Sequence, residues 1–151
     1  MKAVLVHHAE AVMPYEDPQR PLTTRGRAQA EWLAEQAKAA QLVPAAIWHS
    51  GKLRARQTAE AFYRRCAPFA EFKMMRGLLP EDPPMHFRNL IAGETRDILA
   101  AGHMPSIREI LREFLPAAEA LPMNGMVALE TRDEGAAWTE TWRMDTLLHH
   151  L

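Results

Sequence analysis

Short apolar runs alternate along the chain with longer segments of helical spacing. Ala3, Val4, Leu5 and Val6 are apolar in succession, which predicts a buried strand over Met1 to Val6 with His7 and His8 directly after it. A polar, proline-bearing loop from Tyr15 to Leu22 leads to Thr23, which is suited to cap a helix from Thr24 to about Ala40. Pro44 precedes a second strand over Ala45 to Trp48. Ser50 is then placed to cap a helix beginning near Gly51, with Arg54 in its first turn and Ala55, Ala59, Phe62 and Cys66 along its apolar face.

Phe72 to Leu78 predicts a further strand, after which Pro80, Pro83 and Pro84 impose an irregular excursion that reads as a mobile flap with Glu81 and Asp82 at its tip. A helix over Met85 to Gly93 and a strand over Asp97 to Ala101 follow, the strand running into Gly102 and His103. Ile107, Ile110, Leu111, Phe114 and Leu115 give the stripe of a core-facing helix that Pro105 is suited to begin. Met126 to Glu130 and Ala137 to Met144 read as a terminal strand pair joined by a turn at Asp133, Glu134 and Gly135. This alternation predicts one domain over residues 1–151, a three-layer α/β/α sandwich with a largely parallel central sheet and antiparallel strands at its C-terminal edge. Ligands of such sheets bind beyond the carboxyl ends of the strands, where His7, His8, Ser50 and His103 are expected to gather.

Composition narrows the function. The chain has 151 residues, 18 basic and 19 acidic, and a net charge of -1 without a long basic block, so binding to nucleic acid is not expected. Any anion site must be a local concentration of positive charge. The apolar run at the N-terminus is far too short for a signal-peptide core or a membrane span, and a single cysteine, Cys66, suits a reducing compartment. The expected location is the cytoplasm.

The residue chemistry at the predicted sheet edge is that of phosphoryl binding. A neutral imidazole is a nucleophile near pH 7 without an activating base, and His8 stands where a strand ends. Arg54 offers a fixed fork of donors at a helix's positive end, and His103 is suited to hydrogen-bond a phosphate oxygen. Arg20 reads either as a substrate guide or as a solvated loop residue. Glu81 is the candidate general acid, against its reading as part of a solvated turn. The histidines also suggest metal ligation, but no HxxxH or HExxH spacing is present, and neither a metal nor an organic cofactor is expected. His86, His149 and His150 read as surface residues.

The segment Leu5-Val6-His7-His8-Ala9-Glu10 resembles the Arg-His-Gly signature of the histidine phosphatase superfamily, which has the phosphoglycerate mutase-like fold. Three later segments resemble that family's motifs in order and spacing: Arg20 to Gly26, Ser50 to Ala59, and Gly102-His103-Met104-Pro105. The resemblance runs from residue 2 to about residue 115 and is greatest to the SixA-type phosphohistidine phosphatases. It implies that His8 accepts the phosphoryl group, Arg54 holds its oxygens and His103 stabilises the developing charge; His7, Arg20 and Ser50 are the candidate substrate-binding residues. It also implies a metal-independent phosphatase acting on a phosphorylated protein or a small phosphorylated substrate.

Three positions depart from the family pattern. His7 stands where the family has arginine, Ala9 where it has glycine, and Gly51 where it has proline. The expectation is that a protonated His7 replaces the arginine and that the Ala9 methyl obstructs the site. The alternatives are therefore a phosphoryl-binding protein with impaired turnover and a phosphomonoesterase for small metabolites.

Overall fold

The computed structural model describes residues 1–132 and 137–151. The chain runs β1 (Lys2–His7), α1 (Thr24–Ala39), β2 (Ala46–His49), α2 (Leu53–Cys66), β3 (Glu71–Met74), α3 (Pro84–Ala92), β4 (Ile98–Gly102), α4 (Ser106–Phe114), β5 (Met126–Glu130) and β6 (Thr139–Met144). A 3-10 turn (Thr146–His149) follows. The strands form one sheet in the order β3-β2-β4-β1-β5-β6. β1, β2, β3 and β4 are mutually parallel, while β5 lies antiparallel to β1 and β6 antiparallel to β5. The predicted three-layer sandwich with antiparallel strands at one edge is the architecture observed.

The central strands carry apolar residues on both faces because both are covered by helices. Val4, Val6, Ile47, Leu99 and Ala101 pack against Leu33 of α1 and Phe62 of α2. Leu5, Trp48, Ile98 and Ala100 face the other way, onto Phe87 of α3 and Ile107 and Ile110 of α4. At roughly 1.5–3 kcal/mol for each large apolar side chain buried, these two cores supply most of the driving force for the fold.

Local details depart from expectation in physically readable ways. Thr23 caps α1 as predicted, its hydroxyl accepting from Gly26 N–H at 2.9 Å. Ser50 does not cap α2, whose N-cap is Lys52, because Gly51 at φ +94° turns the chain and delays the helix to Leu53. β3 ends at Met74 rather than Leu78, since Gly77 at φ +97° again turns the chain. The segment expected to be a mobile flap is docked on α4: Ser106 N–H donates to the Pro80 carbonyl at 3.3 Å and the Ser106 hydroxyl to that of Asp82 at 3.0 Å. The turn expected at Asp133, Glu134 and Gly135 lies outside the described residues.

Candidate active site

Parallel register assembles the site. His7 of β1 lies opposite Gly102 of β4, so His8 and His103, the next residue of each strand, leave the sheet side by side. His49 of β2 is opposite Ala101 of β4, which brings Ser50 to the same edge. The ring centroids of His8 and His103 are 5.0 Å apart and those of His7 and His8 are 4.4 Å apart. Arg54 enters from the first turn of α2, where free backbone N–H groups and the helix dipole favour an anion.

Each imidazole is hydrogen-bonded, and for His7 and His8 the partner fixes the tautomer. His8 Nδ1 is 2.7 Å from the Ala9 carbonyl, so Nδ1 carries the proton and Nε2 keeps its lone pair. His7 Nδ1 lies 2.8 Å from Asn124 N–H and accepts from it, which puts the His7 proton on Nε2. His103 Nε2 is 2.6 Å from the Ser50 hydroxyl, which itself accepts from Lys52 N–H. This contact engages His103 Nε2 and leaves Nδ1 as the remaining polar atom of the ring. His103 Nδ1 and Arg54 Nε are both buried and find no hydrogen-bond partner among the described residues. Buried unpaired nitrogens are costly, and two of them, one the Arg54 Nε–H donor, beside a free imidazole lone pair describe a pocket matched to an acceptor-rich anion.

All three rings are neutral at pH 7. Burial holds His8 near a pKa of about 4, with a partly opposing effect from the Ala9 carbonyl and a further lowering by Arg54 and Arg20. Burial also lowers His7 to about 3 and His103 to about 2, and in both the neighbouring histidines and Arg54 push the same way. Arg54 itself is lowered from the usual arginine value, first by burial and then by the charge of Arg20. His7 is thus an uncharged ring whose Nδ1 is already occupied, not the protonated replacement for arginine expected from the sequence.

The loop carrying His8 is held from both sides. Ala9 N–H donates to the Thr58 hydroxyl at 3.0 Å, and that hydroxyl donates to the Arg54 carbonyl at 2.8 Å, coupling the nucleophile loop to α2. Glu10 N–H donates to the buried Gln29 side chain at 2.9 Å. The Ala9 methyl, expected to obstruct the pocket, is fully buried in the core beside α1 and α2, and Ala9 is not at positive φ. Glycine is required instead at Gly26, where a Cβ would overlap the Glu10 carbonyl.

Arg20 reaches the site from a strained loop position, φ +51°, anchored by its Nε donating to the Val12 carbonyl at 2.9 Å. Glu81 is exposed in its turn. The Asp82 carboxylate accepts from Leu79 N–H at 2.9 Å. The charges acting on His7, His8 and His103 come from Arg54, Arg20, Lys52 and one another, with no carboxylate among them in the described residues. Asn124 and Thr58 were missed from sequence. Asn124 had one local signal, its place in an Asn-Gly pair before an apolar strand, and Thr58 had none beyond its neighbourhood to Arg54. Among the described residues, no group of three or more His, Cys, Asp or Glu is arranged to hold a metal ion, and no helix is long and apolar enough to cross a membrane.

Residues 4–78 match the family model of the histidine phosphatase superfamily (branch 1), a span that includes His8, Ser50 and Arg54. No curated protein matches the chain. Among solved structures, the protein from Agrobacterium tumefaciens assigned as the phosphohistidine phosphatase SixA is 24% identical with a TM-score of 0.77, covering 95% of this chain and 96% of that one. The protein histidine phosphatase SixA complexed with tungstate is 20% identical with a TM-score of 0.82, covering 99% of each chain. A phosphoserine phosphatase from Entamoeba histolytica, a mutant in complex with phosphoserine, is 16% identical with a TM-score of 0.71, covering 99% of each chain. At these identities the likeness is one of fold.

Proposed function

This chain belongs to the histidine phosphatase superfamily, and on that premise we propose that it is a protein phosphohistidine phosphatase that carries the phosphoryl group on Nε2 of His8. The observation that carries the reading is the pairing of a free His8 Nε2 lone pair with two buried unpaired nitrogens, Arg54 Nε–H and His103 Nδ1, the latter a donor when the Ser50 hydroxyl donates to Nε2. Tungstate, bound by a SixA of the same fold, is a tetrahedral oxyanion of the shape such a pocket accepts.

In the first step the Nε2 lone pair forms a bond to phosphorus as the P–N bond to the substrate imidazole breaks, and that ring keeps the electron pair and leaves neutral with the proton already on its other nitrogen. Positive charge appears on the His8 ring, where Nδ1–H donates to the Ala9 carbonyl and disperses it. Arg54 and His103 hold the non-bridging oxygens, so that catalysis is positioning and electrostatics. Water then attacks phosphorus, the P–N bond breaks, and neutral His8 and inorganic phosphate are regenerated.

With no carboxylate acting on the three histidines among the described residues, the site suits a leaving group that needs no general acid. An alkoxide leaving from a phosphate ester needs a proton from a general acid, a contribution of about 10²–10⁴ in rate. Glu81 is exposed and Asp82 is engaged with Leu79, whereas the imidazole leaving from phosphohistidine needs less assistance. The test compares kcat/KM for a phosphohistidine-bearing protein with that for phosphoserine and an aryl phosphate. The proposal expects the phosphohistidine protein to be preferred over phosphoserine by at least about 100-fold. Equal rates would favour the small-molecule phosphomonoesterase, and phosphate binding without hydrolysis of any of the three would favour a binding protein. The free Cys66 thiol suits the cytoplasm as the place of action.

A further inference from the structure

We infer that Asn124 is a positioning residue that fixes His7 as an uncharged Nε2–H donor in the phosphate pocket and clamps the peptide carbonyl of His8. The inference rests on the reading of His8 as the nucleophile.

Three hydrogen-bonding groups of Asn124 are engaged. Its backbone N–H donates to His7 Nδ1 at 2.8 Å, its side-chain amide donates to the His8 carbonyl at 2.9 Å, and its own carbonyl accepts from the buried Thr146 hydroxyl at 3.1 Å. These contacts span 117, 116 and 22 residues of sequence, so they exist only in the folded chain. Asn124 sits at φ +52°, a conformation that asparagine tolerates better than most residues, and is 9% exposed. β5 begins two residues later, antiparallel to β1, which places residue 124 beside the end of β1. Gly125 closes the approach: a Cβ there would lie 2.5 Å from the Met144 carbonyl and 2.6 Å from Pro122 Cγ.

The tautomer is the functional point. A neutral imidazole has one donor and one acceptor, so an N–H directed at Nδ1 obliges the proton to sit on Nε2. His7 lies in the electrostatic neighbourhood of His8, Arg54 and His103, and its proton-bearing Nε2 is the nitrogen left to meet a phosphate oxygen there. Arginine has no acceptor and cannot receive the Asn124 N–H, so the turn at residue 124 is matched to histidine at position 7. The positive charge lost from the pocket is replaced by an oriented neutral donor, and the pocket keeps Arg54 as its main cation.

The experiment reads ¹⁵N chemical shifts of histidine rings in the labelled full chain, together with binding of inorganic phosphate and turnover of a phosphohistidine protein. Asn124→Gly retains the N–H and the left-handed backbone but removes the side-chain amide; Asn124→Ala removes the amide and strains the backbone as well. In the unaltered protein His7 is expected to show a protonated Nε2 and an unprotonated Nδ1, unchanged from pH 5 to pH 8. Asn124→Gly is expected to keep that signature while kcat falls roughly three- to tenfold with a smaller change in KM, the loss of one hydrogen bond that holds the nucleophile. Asn124→Ala should also shift or broaden the His7 signature.

A proton on His7 Nδ1, or a His7 that titrates between pH 5 and pH 8, would overturn the inference, as would unchanged kcat in Asn124→Gly. Failure of the phosphatase reading looks different: no turnover by the unaltered protein. In that case the expected His7 signature, with inorganic phosphate bound roughly three- to tenfold more weakly by Asn124→Gly, still supports the assignment, and unaltered binding overturns it.

Discussion

Mild acid should unfold this protein through its active site. In the native state His7, His8 and His103 are held neutral by burial, near pKa values of about 3, 4 and 2 against an ordinary 6.5. The unfolded chain therefore binds more protons than the folded one below pH 6.5, and stability falls as pH drops through that value. The loss continues until each ring takes up its proton in the folded state. At pH 5 all three rings are still neutral when folded, and each contributes a loss of about 2 kcal/mol relative to pH 7. His8 contributes somewhat less because one edge opens to the pocket. The sum, about 4–6 kcal/mol, is comparable to the whole stability of a small domain. Carboxylates with depressed values, such as Glu94 near 2, add to acid sensitivity only below about pH 4.5, so the interval from pH 7 to pH 5 isolates the histidines. Urea denaturation at pH 7, 6 and 5 measures the effect. His7→Asn, which keeps an acceptor for Asn124 N–H but has no imidazole to protonate, should reduce the pH-dependent loss by about 2 kcal/mol. A urea midpoint that is unchanged between pH 7 and pH 5 would refute the picture of three buried neutral rings.

His7→Arg restores a cation but leaves the buried Asn124 N–H without its acceptor. Calorimetry should show tighter phosphate binding, while urea denaturation at pH 7 shows a loss of about 1–3 kcal/mol. Thr58→Val removes the hydroxyl that joins Ala9 N–H to the Arg54 carbonyl and should cost about 1–3 kcal/mol, with phosphate affinity falling in parallel; intact affinity would mean the loop is held by other contacts. Gly26→Ala drives a methyl into the Glu10 carbonyl, and its thermal midpoint should drop with a stability loss of about 1–3 kcal/mol.

The layers of the fold were legible because each element announces itself locally. The apolar run Ala3 to Val6 and the stripe from Ile107 to Leu111 have different periods, and their alternation along the chain implies parallel strands with covering helices. The sheet edge that gathers His8, Ser50 and His103 follows from that topology. What stayed hidden depended on single backbone turns and on contacts distant in sequence. Gly51 delays α2 and turns Ser50 from an expected cap into the partner of His103, and Ser106 docks the segment that reads as a flap. The roles of His7 and Ala9 were misjudged for the same reason. A motif comparison shows a missing arginine and an added methyl, but not that Asn124, 117 residues away, occupies the histidine or that the core has room for the methyl.

The central claim is that His8 carries the phosphoryl group, and trapping that intermediate tests it most directly. The protein is mixed with a ³²P-labelled phosphohistidine protein, quenched with alkali within milliseconds, and mapped for labelled peptides. The account predicts a base-stable, acid-labile phosphate on His8 that disappears with further incubation and is absent from His8→Ala. Turnover that persists at full rate in His8→Ala, or label carried on another residue, would contradict it.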